Sequence, residues 1–141
     1  MSESGFKVGG LGEIAIRCIN FEAMVSFYSD IIGLEPMRRF EVPGIVFFRV
    51  SEGYRGHTAV LALFRANENL EVRSGTTSSL HHIALSLGFA EQEQAMKWYE
   101  RHEIKFNVEI FDWIGWRGIF TNDPDGNTVE LVAYDPSWKP K

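Results

Sequence analysis

Asp123-Pro124-Asp125-Gly126-Asn127-Thr128-Val129-Glu130-Leu131-Val132 reads as a tight turn that delivers the chain into a strand carrying one carboxylate among apolar residues. Pro124 presets φ for a turn, Asp123 and Asp125 can bond nearby backbone N–H groups, and Gly126 supplies a position of positive φ, so the chain reverses here. Alternation along the strand puts Val129, Leu131 and Ala133 on one face and Thr128, Glu130 and Val132 on the other. Glu130 therefore points away from the apolar layer, and a carboxylate so placed needs a reason.

Two further segments follow the same logic. Leu80 to Leu87 puts Ile83, Leu85 and Leu87 on one face and His82, Ala84 and Ser86 on the other; Leu11 to Cys18 puts Ile14, Ile16 and Cys18 inward and Glu13, Ala15 and Arg17 opposite. Glu13, His82 and Glu130 are thus three metal-competent side chains that can share one side of a sheet. Glu13-Ile14-Ala15-Ile16 also resembles His82-Ile83-Ala84-Leu85, and each is followed by a helical stretch with an aromatic pair, Phe27-Tyr28 and then Trp98-Tyr99. The repeat has a period of about 70 residues, longer than the roughly 20 to 50 of solenoids, so two copies make one domain.

Bulk properties agree with one globular domain. A chain of 141 residues with 45% hydrophobic content is long enough to bury a core and too apolar to be disordered. A net charge of −5 offers no basic footprint for nucleic acid and no attraction to anionic membranes, so neither is expected as a partner. No apolar run approaches a bilayer span, the N-terminus lacks a signal-peptide pattern, and the single Cys18 cannot form an internal disulfide; a cytoplasmic location is expected.

Helical spacing of Met24, Phe27, Tyr28 and Ile31 predicts a helix over about Phe21 to Ile32, with Asn20 as N-cap and Gly33 as its end. Strands are expected around Met37 to Val42, over Gly44 to Val50 and over Thr58 to Phe64, the last two separated by a Gly-rich loop. In the second half the pattern gives a helix over about Glu91 to His102, a strand around Phe106 to Ile110, and a hairpin of Trp116 to Asn122 with Thr128 to Tyr134. The order is βαβββ twice, an α+β chain: a first module over about residues 11–66, a linker over 67–79, a second module over 80–134, and a loose tail over 135–141.

Together Phe27-Tyr28 with Ile32-Gly33-Leu34, His82-Ile83-Ala84-Leu85, and Asp123 to Asn127 leading to Glu130-Leu131 resemble the vicinal oxygen chelate superfamily, over about Leu11 to Tyr134. That superfamily holds glyoxalase I, extradiol dioxygenases, methylmalonyl-CoA epimerase, fosfomycin-resistance enzymes and bleomycin-binding proteins. The resemblance implies two βαβββ modules curled into an open sheet around a concave metal or ligand cleft, with helices outside. It places Glu13 at the first-strand ligand position, where His, Gln or Glu occurs, His82 at the second-module ligand position and Glu130 at the final-strand ligand position. The remaining ligand position falls at Ala62, which cannot bind metal and departs from the lyase-type pattern.

Independently of the resemblance, one imidazole and two carboxylates make an O/N-rich set with open coordination positions, suited to Fe(II), Mn, Ni, Co or Zn. The alternative for His82 is a hydrogen-bonded structural residue. Among other polar groups, Arg17 shares the Glu13 face and can meet an anionic substrate or pair with Glu13; His57 lies in a loop before a strand. Trp113 and Trp116, with Arg117, offer flat surfaces for an apolar or aromatic substrate, or for core or dimer packing. His81 is expected to face away from His82, and His102 to sit at a helix end.

The sequence reading is therefore a divalent-metal-dependent enzyme that chelates a small-molecule substrate through neighbouring oxygens. Lyase or isomerase-like chemistry is favoured, with Glu13 and Glu130 as the catalytic carboxylates. The alternatives are a metal-free small-molecule or antibiotic-binding protein and an extradiol-type dioxygenase. Unpaired sheet edges and the high aromatic content predict a homodimer.

Overall fold

The Asp123 turn closes as its residues dictate. In the computed structural model, which describes residues 3–37, 42–67, 72, 73 and 75–141, Asp123 Oδ1 accepts the N–H groups of Asp125 at 3.0 Å and Asn127 at 2.9 Å. The Asn127 amide donates to both carboxylate oxygens. Gly126 has φ +85°, and its N–H returns to the Asp123 carbonyl at 2.9 Å. Both Asp123 and Asn127 are buried, so the turn satisfies its own polar groups and sets the register of the hairpin that follows.

That hairpin pairs β7, Trp116–Asn122, with β8, Thr128–Tyr134, from Asn122 opposite Thr128 to Trp116 opposite Tyr134. It belongs to the second of two compact units, Met1–Val72 and Arg73–Lys141. The unit also contains β5 (Ile83–Ser86), α2 (Glu91–Arg101) and β6 (Asn107–Phe111). The sheet runs β5-β8-β7-β6, with β5 parallel to β8 and the other pairs antiparallel. On one face Ile83, Ile119, Val129, Leu131 and Ala133 are buried. The helix α2 is anchored there by Gln92, fully buried, whose amide donates to the Arg117 carbonyl at 2.7 Å and the Leu131 carbonyl at 3.1 Å.

The first unit repeats the plan. Its elements are β1 (Glu13–Cys18), α1 (Phe21–Ser26) running into a π-helical turn (Phe27–Ile31), β2 (Glu35–Pro36), β3 (Ile45–Tyr54) and β4 (His57–Arg65). The strand order β1-β4-β3-β2, with β1 parallel to β4, matches the second unit strand for strand. Met24, Phe27 and Tyr28 form the buried helical stripe, with Ile16, Cys18, Phe48, Leu61 and Leu63 beneath it. Tyr28 and Tyr99, the second members of the two aromatic pairs, are both buried. The fold is α+β, two tandem βαβββ modules, each an open four-stranded mixed sheet.

Local expectations shift in four places. The loop foreseen between the third and fourth strands is a continuation of both: β3 extends to Tyr54, and only Arg55 and Gly56, both of positive φ, make the turn. Gly53 is a bulge residue whose missing side chain avoids the His57 carbonyl. The short β2 lies at Glu35–Pro36, while most of the strand expected over Met37 to Val42 falls on residues 38–41, outside those described, as do residues 68–71 and 74 of the expected linker. His81 and His82 precede the first ladder residue of β5, so strand alternation does not separate them.

The C-terminal tail is not loose. The Trp138 indole N–H donates to the Asp112 carbonyl at 2.6 Å, and its ring covers Gly115, where a Cβ would lie 2.6 Å from Trp138 Cγ. An aromatic side chain with one donor found both an apolar surface and an acceptor on the β6–β7 turn.

Candidate metal and substrate site

Strand register fixes what accompanies Glu130 on its face of the second sheet. Ala84, Glu130, Phe120 and Asn107 form one cross-strand row; Ser86, Val132, Gly118 and Glu109 form the next; Tyr134, Trp116 and Phe111 form a third. This is the face opposite α2, as alternation requires. The Glu130 side chain is only 6% exposed, and His82 Nε2 lies 3.3 Å from Glu130 Oε1. The His82 ring stands edge-on to Phe120 at 6.1 Å.

Burial pushes the Glu130 carboxyl above its ordinary range, His82 pulls it back, and Glu109 on the same face raises it further. A carboxylate held there gains from a cation at the His82 side. On the far side of that imidazole, His82 Nδ1 lies 2.8 Å from His81 Nδ1. His81 also lines a cavity of about 470 Å³ bounded by Thr76, Ser79, Asn127 and Thr128.

The donor chemistry fits one divalent ion in part. Ligand atoms bound at roughly 2.0–2.2 Å and near right angles stand about 3 Å apart, so the 3.3 Å between His82 Nε2 and Glu130 Oε1 suits two neighbouring ligands of one centre. Among the described residues no three His, Cys, Asp or Glu side chains form a ready-made set. Glu13, the third residue expected to contribute, belongs to the first unit, exposed at the start of β1. Its face carries Val60 and Arg49 in register with it, then Ala15, Ala62 and Phe47, then Arg17, Phe64 and Ile45. Ala62 is fully buried.

Arg17 is exposed on the Glu13 face and makes no ion pair among the described residues. Four residues along one strand put it about 13 Å from Glu13 at 3.3 Å per residue, too far for the pairing considered from sequence. It lines a cavity of about 320 Å³ with Ala15, Phe64, Arg65 and Asn67, where Arg65 is engaged with Glu22 and the Phe21 ring. His57 opens β4 instead of lying in a loop, exposed near Gly12.

The aromatic candidates separate. Trp116 lies on the Glu130 face, whereas Trp113 is 73% exposed in the β6–β7 turn. Arg117 is on the α2 face, its Nε bonded to Gln92 Oε1 at 2.6 Å and its guanidinium 3.9 Å from the Phe89 ring centre. His102 caps α2, its ring tilted against Trp98 with centroids 4.1 Å apart. Sequence reading passed over Glu109, Phe111 and Phe120. The alternation Asn107, Glu109, Phe111 was visible, but only the β6–β7 register puts it beside Glu130.

Solved structures with the same fold include lactoylglutathione lyase from Agrobacterium tumefaciens, 22% identical, covering 89% of this chain and 94% of that one with a TM-score of 0.66. A glyoxalase/dioxygenase from Nostoc punctiforme is 21% identical, covering 89% and 90% with a TM-score of 0.70. A genomically encoded fosfomycin resistance protein from Listeria monocytogenes is 15% identical, covering 92% and 97% with a TM-score of 0.67. Comparison with curated proteins finds no match. At these identities the likeness establishes the fold alone, but the family model spans residues 10–131, and the chain belongs to the Glyoxalase/Bleomycin resistance protein/Dioxygenase superfamily.

Proposed function

We propose that this protein is a divalent-metal-dependent enzyme that binds a small substrate through neighbouring oxygens and carries out lyase or isomerase-like chemistry. The observation that carries the reading is the nearly buried Glu130 carboxylate held 3.3 Å from His82 on the sheet face opposite the helix. Members of the superfamily are often enzymes and typically use divalent metal ions. In this reading His82 and Glu130 hold the ion, and Glu13 remains the third ligand expected from the sequence. When bound, the ion supplies Lewis-acid stabilisation of negative charge on a substrate oxygen.

The protein's own groups divide the remaining work. Glu13 is exposed and, where it is not a ligand, is the carboxylate that accepts a proton from substrate; Glu130, tied to His82, stays in place. Trp116, on the Glu130 face, contacts the apolar part of the substrate. The cavity of about 470 Å³ beside His81 is of a size for a small ligand.

A second reading, a metal-free protein that binds an aromatic or drug-like ligand, is favoured by Phe111, Trp116 and Phe120 on the Glu130 face and by the buried methyl of Ala62 where lyase-type relatives carry a carboxylate. Metal analysis of protein purified without added metal, followed by titration with Mn(II), Ni(II) and Zn(II), separates the two. The enzyme reading expects one ion per chain, and His82→Ala weakening it at least 100-fold while the fold is retained. No binding by the unaltered protein, or equal binding by the variant, refutes it.

A further inference from the structure

We propose that Gly118 is a positioning residue: having no side chain, it leaves the space above β7 into which Glu130 folds its carboxylate, and so fixes that carboxylate beside His82. The inference rests on reading His82 and Glu130 as the metal-holding pair.

Gly118 lies inside β7 with Val132 opposite it on one side and Glu109 on the other, on the Glu130 face. Its φ lies outside the left-handed region that favours glycine. Any residue can adopt this backbone, and glycine inside a strand is unfavourable on its own account. What a side chain would meet supplies the reason. A Cβ at this position collides with Glu130 Oε2, stands 3.0 Å from Glu130 Cδ, and lies 2.7 Å from Phe120 Cε2.

Both obstructed groups border His82: Glu130 Oε1 at 3.3 Å and the Phe120 ring at 6.1 Å. One added methyl therefore presses on the carboxylate and on the aromatic wall together. Glu130 is nearly buried, so its displacement moves the oxygen that faces His82.

The experiment combines an unfolding cycle with an ion titration. Gly118→Ala, Glu130→Ala and the double variant are compared by denaturant midpoint, and Mn(II) affinity is measured for the unaltered protein, Gly118→Ala, and Gly118→Ala with Glu130→Asp. The expected result is that Gly118→Ala lowers the midpoint in the unaltered background and is neutral or stabilising once Glu130 is alanine. It also weakens Mn(II) at least 10-fold, and the shorter aspartate recovers part of that loss. If Gly118→Ala does not fold but the double variant with Glu130→Ala does, the clash is demonstrated directly. If the unaltered protein binds no divalent ion, the functional reading fails while the unfolding cycle still reports the coupling of positions 118 and 130. An equal effect of Gly118→Ala in both backgrounds, or unchanged Mn(II) affinity in a protein that binds the ion, overturns the inference.

Discussion

Gln92→Ala removes the bonds that fasten α2 to the sheet behind the candidate site, and the structure gives its size. Gln92 is fully buried and makes three hydrogen bonds: to the Arg117 carbonyl at 2.7 Å, to the Leu131 carbonyl at 3.1 Å, and from Arg117 Nε at 2.6 Å. Two neutral bonds contribute about 1 kcal/mol each and the charge-assisted one about 1.5–3, for an expected loss of about 3.5–5 kcal/mol. With typical domains stable by roughly 5–15 kcal/mol, that is a large fraction of the total. All four tryptophans, Trp98, Trp113, Trp116 and Trp138, lie in the second unit, so tryptophan fluorescence in urea follows that unit directly. At a slope of about 2 kcal/mol per molar the midpoint falls by about 2 M. Arg117 retains the Phe89 ring at 3.9 Å and Glu93 at 3.6 Å, which limits further collapse. A midpoint for Gln92→Ala within 0.5 M of the unaltered protein would refute the reasoning.

Glu130→Gln tests the electrostatics of the buried carboxyl. Its pKa is raised above the ordinary 4.5, first by burial, so the folded state prefers the protonated form. The stability this contributes is fully present below pH 4.5 and is lost as pH rises through the raised folded value. The glutamine variant does not titrate, so in metal-free protein it should gain stability relative to the parent as pH rises toward neutrality; urea midpoints from pH 4 to 8 that run parallel would contradict this. Met24→Ala, at a fully buried position of the first unit, should cost about 2–5 kcal/mol, read by far-UV circular dichroism. The proposed homodimer is checked by sedimentation at low micromolar concentration, where a monomer would mean that Trp113, Ile110 and the other exposed apolar residues serve another purpose.

Much of the fold was legible because it rests on short-range rules. Turn chemistry at Asp123, strand alternation around Glu130 and Ile14, and the helical stripe from Met24 each depend on neighbours a few residues away. The internal repeat then supplied the topology. Strand ends were less legible: β3 runs to Tyr54 because Gly53 permits a bulge and Arg55-Gly56 suffices as a turn, and composition alone makes that stretch look like a loop. The tail was misread because docking Trp138 on Gly115 and Asp112 joins residues more than twenty apart.

For the site, the sequence alone determined which side chains point away from the apolar layer, since alternation is a property of one strand. Glu13, Arg17 and Glu130 follow from it. Pairing between strands decided the rest. Register across β8, β7 and β6 set Phe120, Gly118 and Glu109 around Glu130, removed Arg117 to the helix face, and brought His82 within 3.3 Å of a carboxylate that burial had already perturbed. Distances between side chains on different strands depend on which residues lie opposite one another, and a shift of one residue reverses every face.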